Sequence, residues 1–225
     1  MMTQQMIFED LKIDVVRQKG SRSVKLAMNR KTGRPELRLP YLYPLMLARP
    51  FVAKHLVWIR KHIELTPDKK IFQIGDSFNL LGKEVRICET TRGTYLDGDM
   101  LYVARNSANV HRRVINFVKK YFEDYACQKA ISLAGQNGKK VVKVSCRDTV
   151  SRWGSCSSSA HLSFSWRLAF APQFVADYVI AHEVAHLFEM NHSKAFWDKV
   201  GQMNPDAKKA KKWLSQNAAQ LHAIV

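Results

Sequence analysis

The sequence predicts an α+β protein, with a β-rich N-terminal part followed by a helical part that carries a small sheet. Residues 7–105 hold short runs of β-branched, aromatic and aliphatic side chains, broken every few positions by glycine or polar turn-formers. Residues 106–225 instead hold apolar residues at helical spacing over stretches longer than any strand. Hydrophobic residues make up 46% of the 225 and charged residues 24%, a balance that excludes a disordered or fibrous chain. At about 150 residues per domain the length allows one large or two small domains. The change of pattern near Arg105 sets the expected boundary, with a mainly β domain over 1–105 and a second domain over 106–225.

Between Ile7 and Leu39 the runs IDVV, SVKLAM and ELRLP are separated by Lys19-Gly20-Ser21 and Lys31-Thr32-Gly33-Arg34-Pro35, and are expected as a meander. Phe51, Leu56, Ile59 and Ile63 then fall near helical spacing, predicting one amphipathic helix over 51–63. FQIG, FNLLG, EVRICE, TYLDGD and MLYVA, punctuated by Gly75, Gly82, Gly93 and Gly98, predict a second meander. Ser107 is placed to cap a long helix over 108–134, with Val110, Val114, Phe117, Val118, Tyr121, Tyr125 and Ile131 as its apolar stripe. The runs VVKVSC (141–146) and HLSFSWRL (161–168) predict two strands joined by a polar segment over 147–160. Pro172 suits the first turn of a helix that runs to about Met190 and breaks at Asn191. Ser193 caps a short helix, and Pro205 opens the last one.

Lys and Arg total 36 against 19 Asp and Glu, a formal charge of +17. Such a surface attracts polyanions, so nucleotides and non-specific nucleic acid are candidate partners. The start of the chain lacks the charged and apolar regions of a secretory signal, and no window reaches 18 apolar residues. The expectation is a cytoplasmic protein with no membrane partner. Cys88, Cys127, Cys146 and Cys156 form no C-x-x-C pair and are expected as reduced thiols.

The chemistry sits in His182-Glu183-Val184-Ala185-His186, an H-E-x-x-H motif on the 172–190 helix. Histidines four residues apart stand one turn above each other, so both imidazoles reach one metal ion. Glu183 lies on the same flank, near enough to touch a metal-bound water without ligating. His192, six residues after His186, is the candidate third ligand of a Zn²⁺ site that keeps one position open for water. Glu183 is then the catalytic base.

Arg152 and Ser155, in the polar segment, are candidates for stabilising an oxyanion or binding a carboxylate or phosphate. The alternative is that Trp153 packs, Gly154 permits a turn and Arg152 bridges a carboxylate. Cys156 is a candidate fourth ligand, Tyr178 is one turn from His182, and Met203 is either a turn beneath the metal or core filler.

RWGSC (152–156), WRLAFAP (166–172), DYVIAHEVAHL (177–187), NHSKAFW (191–197) and KKWL (211–214) resemble the YgjP-like metallopeptidase family. FVAKHLVWIRKHI (51–63) and FNLLGKEV (78–85) are similar to its N-terminal part, so the resemblance covers nearly the whole chain. It implies a zincin-like domain over 106–225, one zinc ion on His182, His186 and His192, and Glu183 as general base. A more distant similarity is to the SprT and WLM metalloproteases, some of which act on proteins attached to DNA. One departure from metzincins is Glu189, at the position where that class has the glycine of the turn toward the third ligand. By analogy with zincins, the HLSFSWRL strand would line the cleft and pair with an extended peptide.

The leading reading is a zinc metallopeptidase that cleaves peptide or protein substrates by Glu183-assisted attack of a zinc-bound water. Two alternatives keep the metal. One is a nucleotide phosphoanhydride hydrolase of the nucleoside triphosphate pyrophosphatase type, and the other a nucleic-acid-associated protein with a structural zinc site.

Overall fold

The computed structural model describes residues 4–29, 32–64, 66–104 and 109–224. The architecture is α+β, and the chain divides into two compact units, Met1–Lys69 and Lys70–Val225.

In the first unit, strands β1 (Gln4–Phe8), β2 (Leu11–Gln18), β3 (Lys25–Met28) and β4 (Pro35–Pro40) form a sheet in the order β1-β2-β4-β3. This is not the expected meander, because β2 and β4 pair in parallel at the centre while β3 lies at the edge. Burial explains the order. β4 sends Leu37 and Leu39 into the core beside Ile13 and Val15 of β2, whereas β3 is only half-buried and loses little at an edge. The single helix expected over 51–63 is two, α1 (Arg49–Lys54) and α2 (Leu56–Glu64), broken at His55. The His55 ring Nδ1 donates to the Phe51 carbonyl at 2.8 Å, occupying an acceptor that a continuous helix would offer to the His55 backbone N–H.

The second unit begins with the same arrangement. Strands β5 (Ser77–Leu80), β6 (Lys83–Thr90), β7 (Tyr95–Asp97) and β8 (Met100–Ala104) are ordered β5-β6-β8-β7, again with a parallel central pair in place of a meander. These strands bury Phe78, Val85, Ile87 and Leu101 in one core with Val118 and Phe122 of helix α3 (Val110–Gln136). Residues 70–104 therefore share their apolar core with the helices and not with residues 4–64, so the division between compact units falls near residue 69, whereas the sequence pattern placed it at Arg105.

Ser107, expected as the cap of α3, lies outside the described residues; Asn109 holds the N-cap, its Oδ1 accepting the Arg112 N–H at 2.8 Å. The buried face of α3 is Val114, Val118, Phe122, Ala126, Ala130 and Ala134, while Tyr121 and Ile131 of the expected stripe are exposed.

A three-stranded sheet follows, ordered β10-β11-β9, from β9 (Lys143–Arg147), β10 (Gly154–Cys156) and β11 (His161–Ser165). β9 and β11 match the predicted runs, and β10 is a strand within the segment expected to be irregular. The chain then takes a 3-10 turn over Trp166–Phe170 and forms α4 (Gln173–Ala185), α5 (Lys194–Met203) and α6 (Ala207–Ala223). The β5–β6 hairpin abuts the start of α4. Its two-residue loop puts Leu81 and Gly82 at positive φ, Leu81 donates its N–H to the Ala169 carbonyl at 2.7 Å, and a Cβ on Gly82 would come within 3.6 Å of the Gln173 nitrogen. Among the described residues no helix is long and apolar enough to cross a membrane.

Candidate metal centre

Helix α4 is buried on nearly every side, from Val175 and Ala176 through Tyr178, Val179, Ile180 and Ala181 to Val184 and Ala185. Such an environment tolerates ionisable groups only where they are paired or hold a metal. The helix stops at Ala185, earlier than the expected break at Asn191. His186 keeps helical dihedrals as the C-cap, and the Leu187 and Phe188 N–H groups fold back onto the Val184 and Ala185 carbonyls at 3.0 Å each. The tightened turn lets the Glu189 carbonyl accept a hydrogen bond from His186 Nδ1 at 3.0 Å, and the chain reverses to bring up His192.

The three predicted histidines meet. His182 Nε2 and His192 Nε2 are 3.2 Å apart, and the donor atoms of His182, His186 and His192 all lie within 4.8 Å of one another. Two nitrogens bound at 2.0–2.1 Å to one tetrahedral ion stand about 3.3 Å apart. The fit is therefore that of a shared ion. Phe196, fully buried, lies against all three rings at centroid distances of 4.5 to 4.9 Å, and Trp197 stacks on His192 at 5.6 Å. Both aromatics ride on α5, whose cap is Ser193: its Oγ accepts the Phe196 N–H at 3.2 Å.

Protonation also favours ligation. Burial pushes His182 down to about 4, with His186, His192 and Lys211 adding to the shift, and burial lowers His186 as well. Both imidazoles are then neutral at pH 7, the form that binds metal. The bond from Nδ1 to Glu189 leaves Nε2 of His186 as the atom available to a metal ion. His182 Nδ1 is buried with no hydrogen-bond partner among the described residues.

Glu183 is 5% exposed, and among the described residues no group hydrogen-bonds to its carboxylate. Burial lifts it to about 7, with Arg152 pulling the other way. It lies against β10, so that a Cβ built on Gly154 would sit 2.6 Å from both Glu183 Cγ and Oε1. β10, not β11, borders the site. β11 is paired on both sides, with β10 and β9, and has no free edge for the expected pairing with a peptide, whereas among the described residues β10 is paired only with β11.

The weaker candidates separate cleanly. Trp153 packs, stacking on His222 at 4.8 Å, while Arg152 is exposed and makes no ion pair among the described residues. Ser155 sits in β10 opposite Ser163. The Cys156 thiol lies outside the histidine cluster, is pushed up to about 11 by burial and by Glu183, and donates to the Ser157 carbonyl at 3.4 Å. All four cysteines are free thiols. Tyr178 is buried 6.0 Å from the His182 ring, its hydroxyl pushed up to about 12 by burial and Glu183. Met203 packs against the hydrophobic core.

A family model described as YgjP-like, metallopeptidase domain, matches residues 22–217. The chain belongs to the YgjP-like metallopeptidase family. The match spans most of both compact units of this YgjP-like chain and contains His182, Glu183, His186 and His192. No curated protein and no solved structure matches it.

Three neighbours of the YgjP-like site were not singled out by the sequence reading: Gly154 against Glu183, Phe196 beneath the histidines, and Lys211. Lys211 Nζ, on the exposed side of α6, stands 3.4 Å from the centroid of the Trp197 ring. A glycine inside a polar segment and an F-W pair after the third histidine were the available signals.

Proposed function

We propose that the protein is a zinc-dependent peptidase in which His182, His186 and His192 hold the ion and Glu183 is the general base. The observation that carries this is the convergence of three imidazoles, those of His182 and His186 held neutral by burial, beside a buried carboxylate that no described residue hydrogen-bonds. A bound zinc ion supplies Lewis acidity and brings the pKa of a water toward about 7. Everything else is the work of this chain. Glu183, held near neutrality by burial, takes a proton from the attacking water and returns it to the leaving amine. The edge of β10 that no described strand pairs offers backbone N–H and C=O groups at Gly154–Cys156 to an extended peptide. His186 is fixed by the Glu189 carbonyl, and Phe196 closes the floor against water. A purely structural zinc site has no use for a fourth position left without a protein ligand next to a buried carboxylate.

The test is metal content and proteolysis measured together. Glu183→Gln is expected to keep one zinc per chain and to lose cleavage of a denatured protein substrate by at least a hundredfold. His186→Ala is expected to lose the metal. Wild-type protein that binds no zinc stoichiometrically, or that hydrolyses nucleoside triphosphates and no peptide, overturns the reading.

A further inference from the structure

Four cations around the metal centre make no ion pair among the described residues, and of the four Arg152 has Glu183 near enough to feel its charge. Lys211 of α6 rests on Trp197, the ring that stacks on His192. On the opposite flank Arg152 is two residues before Gly154, and thus within about 7.6 Å of it along the chain; Gly154 is the residue in contact with Glu183. Past His186, Phe188 carries two lysines, Lys199 Nζ at 4.7 Å and Lys139 Nζ at 5.2 Å from its ring centroid. Among the described residues none of these four has a carboxylate within ion-pair distance. Elsewhere lysines do find partners: Lys120 with Asp124, Lys129 with Asp177, Lys70 with Asp76. Arg152, Lys139, Lys199 and Lys211 come from four separate segments, so no single helical charge run accounts for their meeting here.

Cations that lack ion-pair partners repel one another, and the cost falls when an anion arrives. The aromatic faces beneath three of these cations hold them in place, which lowers the entropy lost on binding.

We infer that the site takes an acidic polypeptide, with Asp or Glu side chains on both sides of the scissile bond, met by Arg152 on the β10 flank and by Lys211, Lys199 and Lys139 on the helical flank. This rests on the peptidase reading and adds its substrate class. A peptide extended along β10 places alternate side chains on one face about 6.6 Å apart, a spacing that lets carboxylates on either side of the cleaved bond approach cations on opposite flanks. The contacts are partly solvated, so each is worth a two- to fivefold effect and all weaken with salt.

Two measurements test it. Binding is read by fluorescence anisotropy on metal-loaded Glu183→Gln protein, using labelled peptides of equal length whose residues flanking one fixed central bond are Asp and Glu or, in the control, Asn and Gln. The acidic peptide is expected to bind at least tenfold more tightly at 50 mM salt, the ratio shrinking severalfold at 500 mM. Lys211→Gln and Arg152→Gln are each expected to narrow the ratio two- to fivefold, and Lys120→Gln, on the exposed face of α3, to leave it alone. Equal binding of the two peptides overturns the inference, as does tighter binding of a single-stranded oligonucleotide of matched charge. Hydrolysis by the wild type is measured on the same pair, and kcat/KM is expected to favour the acidic peptide. A binding preference without cleavage of either peptide would sink the peptidase reading instead, and cleavage without a preference would sink the substrate class alone.

Discussion

Gly154 and Glu183 touch: the backbone of β10 lies so close to the carboxylate that a Cβ at position 154 would stand 2.6 Å from Oε1 and 2.9 Å from Cδ. The glycine is required by proximity and not by backbone conformation, since Gly154 is absent from the glycines at positive φ. Among the described residues no hydrogen bond holds the carboxylate, so packing against β10 sets its position, with Arg152 acting on its charge. Gly154→Ala is therefore expected to push Glu183 away from the reacting water, and displacements of about 1 Å cost on the order of a hundredfold in rate. The three atoms nearest a Cβ at 154 all belong to Glu183, so zinc content is expected to stay at the wild-type level while kcat falls and KM changes little. Steady-state kinetics alongside metal analysis checks this; a variant with wild-type kcat would show that the carboxylate position is not what limits the reaction.

Asp177, the residue before Tyr178, ties α4 to α3. Its Oδ1 accepts the Tyr125 hydroxyl at 2.5 Å and its Oδ2 the Lys129 ammonium at 3.0 Å, in a half-buried setting that pushes the tyrosine hydroxyl well above its usual range through burial and Asp177 itself. Asp177→Ala leaves both donors without an acceptor and is expected to cost about 2–4 kcal/mol. Tyr125→Phe removes only one donor and should cost about 1–2 kcal/mol. Urea unfolding of the two variants measures both, and equal losses would contradict the two-donor arrangement.

The histidine cluster was legible because it is local. Two imidazoles one helical turn apart and a third six residues later are brought together by α4 and the turn after it, with little help from the rest of the chain. The surroundings were not legible, because Gly154 reaches Glu183 from 29 residues away and Lys211 reaches Trp197 from the next helix. The same holds for the sheets. Alternation of apolar residues marks strands, but only competition for the core decides that β4, and not β3, lies beside β2. The broken helix at His55 depended on one ring hydrogen bond, which periodicity does not register.

The face of α3 gives a direct comparison between pattern and packing. Bulky Ile131 looks like a core residue in the sequence but is 54% exposed, whereas Ala126, Ala130 and Ala134 are fully buried. Ala130→Leu should force overpacking and cost about 1–3 kcal/mol. Ile131→Ala should change stability by no more than about 0.5 kcal/mol. Thermal or urea unfolding decides between them, and the reverse ranking would restore the stripe read from periodicity.

Burial of Glu183 makes the stability of the metal-free protein depend on pH in a defined direction. The folded chain holds this carboxyl at about 7 against an ordinary value of 4.5, so the native state prefers the protonated form more than the unfolded state does. The resulting stabilisation is complete below pH 4.5 and is lost as pH rises toward 7, a change on the order of 3 kcal/mol for a side chain this deeply buried. His182 acts oppositely: its pKa is depressed to about 4 in the fold, so its contribution is lost as pH falls below 6.5. Glu183→Gln keeps the histidine effect and removes the carboxylate effect. The difference in unfolding free energy between wild type and Glu183→Gln, both stripped of metal by chelation, should therefore move by about 3 kcal/mol against the wild type between pH 4 and pH 8. Parallel pH profiles would mean that water or a donor outside the described residues solvates the carboxylate in the folded state.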